Sequence, residues 1–210
     1  VQIIAKQLGI LKIDDLCDYR EGKQRWEHKA EICVRHGYRE ITDPEMGFRF
    51  TRWLYSLCWT GTDRPSVLFD RAKIWLLTHK VLLPGVSVLE RLVARIRNRA
   101  ETRLWRLLGQ SITPAQRNHL ENLLTVPEGK RGSWLDKLRS GPTRISAPAL
   151  IQALLRIQTI NKLGISLPTL AHIPPSRLTS LARFAITAKI TAISRLPPER
   201  RLATLVAFIH

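Results

Sequence analysis

LERLVARIRNRAETRLWRLL, residues 89–108, is the stretch from which the fold is read. At about 100° per residue, Val93, Ile96, Ala100, Leu104 and Leu107 fall on one face of a helix. Arg91, Arg95, Arg99, Arg103 and Arg106 fall beside them, within an arc of about 120°. This two-sidedness predicts a long amphipathic helix from Val88 to about Leu108, capped by Ser87 after the Pro84-Gly85 break. Glu90 and Glu101 lie away from the arginine arc. A helix face that is merely solvated tends to carry acids one turn from its bases. Five uncompensated arginines in one arc point to an anion that settles on them, the alternative being a solvated basic face or arginines paired with acids elsewhere in the fold.

The same reading extends in both directions. Towards the N-terminus, Val1 to Leu8 and Gln24 to Arg35 have short helical patterns, closed by Gly9 and Gly37. Phe50, Trp53, Leu54 and Leu57 give a core stripe over 48–59, and Pro65 opens a helix with Leu68, Ala72, Trp75, Leu76 and His79 on one side. Towards the C-terminus, Thr113-Pro-Ala-Gln116 has the form of a capping box and predicts a helix to about Leu124. Ser133 caps a short helix to Arg139, and Ser146 caps another over Ala147 to Lys162. Pro174-Pro175 starts a helix expected to reach Arg195, and Pro197-Pro198 starts one that runs to His210. No alternating period-2 run breaks the pattern. The expected fold is all-α and multi-helix, with about 8–10 helices in two packed helical subdomains. The turn at 109–113 is the expected boundary: 1–110 as a module with the arginine-rich helix, 111–210 as a second helical, DNA-binding module. No initiator Met stands at position 1, and the last helix has no C-cap, so a piece of a longer protein is expected.

Composition narrows the function. The chain has 210 residues, 44% hydrophobic and 24% charged, which is ordinary globular usage. No apolar run approaches the roughly 18 residues of a membrane span, and no signal peptide opens it, so a soluble protein is expected. Cys17, Cys33 and Cys58 form no CxxC pair, which argues for packed thiols in a reducing compartment. There are 34 Lys+Arg against 17 Asp+Glu, a net charge of +17. Residues 1–48 are near neutral, with 8 basic and 9 acidic side chains, whereas Glu199 is the sole acid among the last 65 positions. So one-sided an excess implies a polyanion, nucleic acid before membrane, because clustered cations release condensed counterions from phosphates.

Two further basic groups accompany the arginine arc. Lys130, Arg131, Lys137, Arg139 and Arg144 surround the helix-turn-helix-like order of 114–124, 133–139 and the helix from 146. If that last helix reads DNA, Arg144, Ser146 and Gln152 near its start are the expected base readers. The bland alternative is packed helices with basic solvent loops. Arg177, Arg183, Lys189 and Arg195 make a scattered third group, with Arg177 included among the expected contacts. Most of the six tryptophans sit at core spacing. Trp134, beside Lys130 and Arg131, is the candidate for stacking on a base.

Catalytic readings lack a motif. His28, His36, His79, His119, His172 and His210 form no HExxH, no phosphate-binding glycine loop occurs, and no metal or cofactor is expected. Asp14, Asp15, Asp18 and Glu21 read as helix-start and loop acids, leaving only an unspecific opening for a metal site.

Several strings, in order, resemble the N-terminal region of Tn3-family transposases: RPSVLFD (64–70), WLL (75–77), KVLLPG (80–85), LVARIR (92–97), GPTRIS (141–146), PPSRL (174–178) and RRLATL (200–205). The resemblance implies helical DNA-binding modules that recognise the transposon's terminal inverted repeats during replicative transposition. It also implies that strand transfer belongs to an RNase H-like domain with three carboxylates, absent from this chain, which is therefore not expected to be an enzyme. The implied partner is double-stranded DNA, with a homodimer in the full-length transposase, in the bacterial cytoplasm on the nucleoid. The alternative is a basic helical protein–protein scaffold for transposase assembly that binds DNA only non-specifically.

Overall fold

A computed structural model of the chain describes residues 23–110, 112–141, 145–162 and 170–210. Among these residues there are ten helices and no strand: α1 Gln24–His36, α2 Pro44–Thr60, α3 Pro65–Thr78, α4 Val86–Gln110, α5 Pro114–Asn122, α6 Trp134–Arg139, α7 Ala147–Lys162, α8 Pro175–Thr187, α9 Ile190–Ser194 and α10 Pro198–Ile209. The all-α expectation holds. The short helix expected over Val1 to Leu8, with Cys17 and the acids Asp14, Asp15, Asp18 and Glu21, lies outside the described residues.

The chain divides into two compact units, 1–52 with 66–90 and 53–65 with 91–210. The division falls inside α2 and α4. The turn at 109–113 lies instead within a single core, because Leu104 and Leu108 before it pack with Ile112, Leu120 and Leu123 after it. A turn separates domains only when the apolar faces on its two sides find different partners.

In the first unit, Asp43 caps α2, accepting a hydrogen bond from the Met46 N–H at 3.0 Å, and Pro44 takes the first helical position. The helix therefore starts one turn earlier than its apolar stripe. Gly47 is required there, since a Cβ would lie 2.9 Å from the Ile41 carbonyl oxygen. Leu68, Ala72 and Leu76 are buried at helical spacing on α3, and Phe50 of α2 and Leu89 of α4 are buried as well. Trp75 packs on Phe50 at 5.3 Å between ring centroids and stacks on His79 at 3.8 Å. Arg39 and Val81 make one isolated parallel bridge, with Arg39 N–H donating to Lys80 and Leu82 N–H to Arg39.

In the second unit α10 is the central element. Leu202 to Ala207 are six consecutive buried residues, and Thr204 satisfies its hydroxyl by donating to the Arg200 carbonyl at 2.8 Å. A helix apolar on all sides must be covered on all sides, and α5 and α8 both pack on it. Each fully buried leucine here contributes about 1.5–3 kcal/mol relative to exposure. Both predicted caps form reciprocal boxes, Thr113 with Gln116 and Ser133 with Asp136. α7 has the predicted bounds. The helix expected from Pro175 to Arg195 is broken: Ala188 and Lys189 are extended, separating α8 from α9. The carbonyls freed at that break are taken by Arg139, a partner far away in sequence.

Candidate nucleic-acid interface

The α4 face is as amphipathic as its sequence. Leu89, Val93, Ile96, Ala100, Leu104 and Leu108 are buried, and Arg91, Arg95, Arg99, Arg103 and Arg106 are all exposed. From Arg91 to Arg106 the row extends about 22 Å at 1.5 Å per residue. Glu101, the acid between Arg99 and Arg103 in sequence, is turned aside to Arg97 at 2.9 Å. Arg95, Arg99 and Arg106 have no hydrogen-bond or ion-pair partner among the described residues. Like charges one turn apart cost about 0.2–0.5 kcal/mol per pair, so this face is at its least favourable in the absence of an anion. Arg103 differs from its neighbours: its Nη1 donates to the Tyr55 hydroxyl at 3.3 Å, and its guanidinium lies 5.1 Å from the Trp59 ring centroid.

The second basic group separates into outward and inward members. Lys130 and Arg131 are exposed in the turn before α6, where Gly129 supplies the left-handed φ of 69°. Lys137 is exposed, its Nζ 4.0 Å from the Trp134 ring centroid. Arg139 is turned inward, with a side chain 15% exposed. Its Nε donates to Asp136 at 3.1 Å and its Nη1 to the carbonyls of Ala185 at 3.0 Å and Ala188 at 2.6 Å. Burial raises the Asp136 carboxyl, but hydrogen bonds from Arg139 and from the Ser133 backbone and hydroxyl outweigh it, and the pKa is lowered. Arg139 thus ties α6 to the end of α8. Arg144 lies outside the described residues.

Ser146 and Gln152 are exposed at the start of α7, where the Ser146 Oγ lies 3.4 Å from the Ala149 N–H. Both line a cleft of about 650 Å3 with Trp134, Leu138, Leu155 and Arg156. α7 buries none of its residues, and Leu150, Ile151, Leu154 and Ile157 stand in one exposed arc. Its outward face is thus apolar and poor in cations.

In the third group Arg177 is half-buried. Its Nη1 donates to the Gly61 carbonyl at 3.0 Å, while the neighbouring Ser176 hydroxyl donates to Thr60, so the pair closes the C-terminal end of α2. Burial lowers the Arg177 pKa, Glu101 opposes that, and Arg97 adds to it; the guanidinium stays charged at neutral pH. The same burial raises the adjacent Cys58 thiol, against Arg177 and Arg97. Arg183, Lys189 and Arg195 are exposed, but the break at 188–189 prevents them from lining one helix. Tyr55 and Trp59 belong to the site geometry without having been singled out in the sequence. Their signal is the i, i+4 aromatic pair on the flank of α2 opposite the stripe of Phe50 and Leu54. Among the described residues, no group of three His, Cys, Asp or Glu is placed to hold a metal ion. No helix among them is long and apolar enough to cross a membrane.

Residues 1–96 match a family model described as a domain of unknown function, DUF4158. The chain is 40% identical over 207 residues, 98% of its length, to the transposase for transposon gamma-delta of Escherichia coli (strain K12). It is 43% identical over 83 residues, 40% of its length, to the transposase for transposon Tn4556 of Streptomyces fradiae. It is 24% identical over its whole length to the transposase for transposon Tn1546 of Enterococcus faecium. It spans 21%, 9% and 21% of these three proteins. Two of these matches cover practically the whole chain, so the chain is similar along its length to transposases, and it spans about a fifth of the length of those two.

Proposed function

We propose that this chain is the part of a replicative transposase that recognises the terminal inverted repeats of its transposon as duplex DNA, without the strand-transferring chemistry. The observation that carries the reading is the α4 row, exposed on one side, anchored by a buried apolar stripe on the other, and uncompensated at Arg95, Arg99 and Arg106. Phosphate contacts from that row would set register on the duplex. Lys130, Arg131 and Lys137 supply further phosphate contacts. Ser146 and Gln152 at the head of α7, with Arg144, are the candidate base readers. Arg139 and Arg177 support the scaffold rather than the contact surface, since their donors are committed to internal carbonyls. Bound in this way, the transposase works on the nucleoid in the bacterial cytoplasm. The test is fluorescence anisotropy on a duplex carrying the terminal inverted repeat of the chain's own element, against a scrambled duplex of equal length. A preference that survives raised salt supports end recognition; equal binding that vanishes with salt rejects it.

A second reading has its own observation. The exposed Leu150, Ile151, Leu154 and Ile157 of α7 suit a protein partner better than DNA, as expected of a scaffold that assembles transposase subunits into a homodimer. Leu150→Ser/Leu154→Ser would then abolish self-association in sedimentation without weakening DNA binding. The same substitutions leave sedimentation unchanged if α7 faces DNA.

A further inference from the structure

Within the α4 row, Arg103 is held in place by two aromatic side chains of α2. Tyr55 and Trp59 stand one turn apart on α2, with rings parallel within 6° and centroids 6.5 Å apart. The Arg103 guanidinium lies over Trp59 at 5.1 Å and donates to the Tyr55 hydroxyl at 3.3 Å. A tyrosine hydroxyl that accepts one hydrogen bond retains its own O–H to donate. No acceptor for that O–H exists among the described residues. Arg103 in turn keeps most of its five N–H donors. Arg99 and Arg106, one turn to either side, share the exposed arc and have no such support.

We propose that Tyr55 and Arg103 form a fixed clamp for one DNA phosphate, with Trp59 as the plate against which the guanidinium is set. The clamp rests on the duplex-DNA reading and adds a division of labour within it. The phosphate accepts from the Tyr55 O–H and from free Arg103 N–H groups, and both bonds are charge-assisted. A guanidinium stacked and hydrogen-bonded beforehand loses less freedom on binding than one that sweeps through water. The unsupported arginines therefore supply mainly field, whereas the clamp fixes where the backbone lies. A lysine retains the charge but neither the planar stack nor the fork, so Arg-to-Lys exchange separates the two roles.

The experiment uses the 210-residue chain and a short random-sequence duplex, so that end recognition is not needed for the readout. Arg103→Lys is expected to weaken binding about fivefold at low salt, with the salt slope unchanged because the charge remains. Arg95→Lys and Arg99→Lys stay within about twofold. Tyr55→Phe retains the ring stack and the melting temperature, and weakens binding about threefold. Combined with Arg103→Lys it adds less than its own effect, because the two groups share a phosphate. The clamp is overturned if Arg103→Lys binds no worse than Arg95→Lys, or if Tyr55→Phe binds like the parent, while the parent still binds duplex. A parent that fails to bind any duplex at low salt overturns the DNA reading itself, and the clamp with it.

Discussion

Arg139 and Arg95 are the same residue type on well-formed helices of the same unit, and the fold uses them in opposite ways. Arg139 spends its donors on Asp136 and on the carbonyls that end α8. Arg95 stands in a row of like charges with nothing to donate to among the described residues. The difference lies in the supply of acceptors. Where a helix ends beside a cation, its orphan carbonyls capture it. Where the neighbouring surface is the side of a continuous helix, every carbonyl is already in use and the cation stays outside. The net charge of +17 therefore overstates the surface available to a polyanion, because Arg139, Arg177 and Arg201 are part of the scaffold. Arg201 donates to Glu121 at 2.8 Å and to the Ser194 carbonyl at 3.1 Å.

The sharpest way to break this contrast is to remove arginines of each kind in turn. Arg139→Ala should destabilise the chain by about 2–4 kcal/mol, since it leaves partly buried carbonyls without their donor and removes the cation from Asp136. Thermal melting reads that loss, and DNA affinity well below the transition should not change. Arg95→Ala/Arg99→Ala should do the reverse. Binding to every duplex falls about 10–30-fold at low salt, about 1.4–2 kcal/mol, while stability stays within about 0.5 kcal/mol. A double variant that melts early and binds normally would invert the assignment.

A smaller effect sharpens the inward side. The Asp136 pKa is lowered in the folded state, so its contribution is full above the ordinary carboxylate value of about 4 and is lost as pH falls through the folded value. Asp136→Asn should therefore melt below the parent at pH 7, and the gap should close in melts taken at successively lower pH below about 4. A gap that stays constant with pH would remove the carboxylate from the brace.

Smallest of all is Lys130→Ala/Arg131→Ala. Both side chains are exposed in a turn without partners among the described residues. Stability should be unaffected, and duplex affinity should fall only about two- to fivefold, with no change in preference between sequences. A sequence-dependent loss would turn these residues into base readers.

Much of this was legible in the chain. The caps at Thr113 and Ser133, the bounds of α7 and the two faces of α4 all follow from contacts within a few residues, which spacing encodes directly. The misses share one cause. The break after Thr187 depends on Arg139, and the inward turn of Arg177 depends on Gly61, partners that are backbone carbonyls far away in sequence. Every residue carries a carbonyl, so no residue pattern marks the one that will be used. The core shared across 109–113 is hidden for a related reason, since a turn is visible in sequence but the leucines on its two sides are not paired there. Tyr55 and Trp59 were legible as a pair, yet only the approach of α4 gives them Arg103.

The measurement that bears most directly on the α4 face is the salt dependence of duplex binding, for the parent chain and for Arg95→Ala/Arg99→Ala side by side. With about five phosphates neutralised, log K against log salt should have a slope of about −4 to −5, and the double variant should lose close to 2 from it. A variant with the parent's slope, or a parent whose binding ignores salt, would contradict the assignment of the arginine row to DNA.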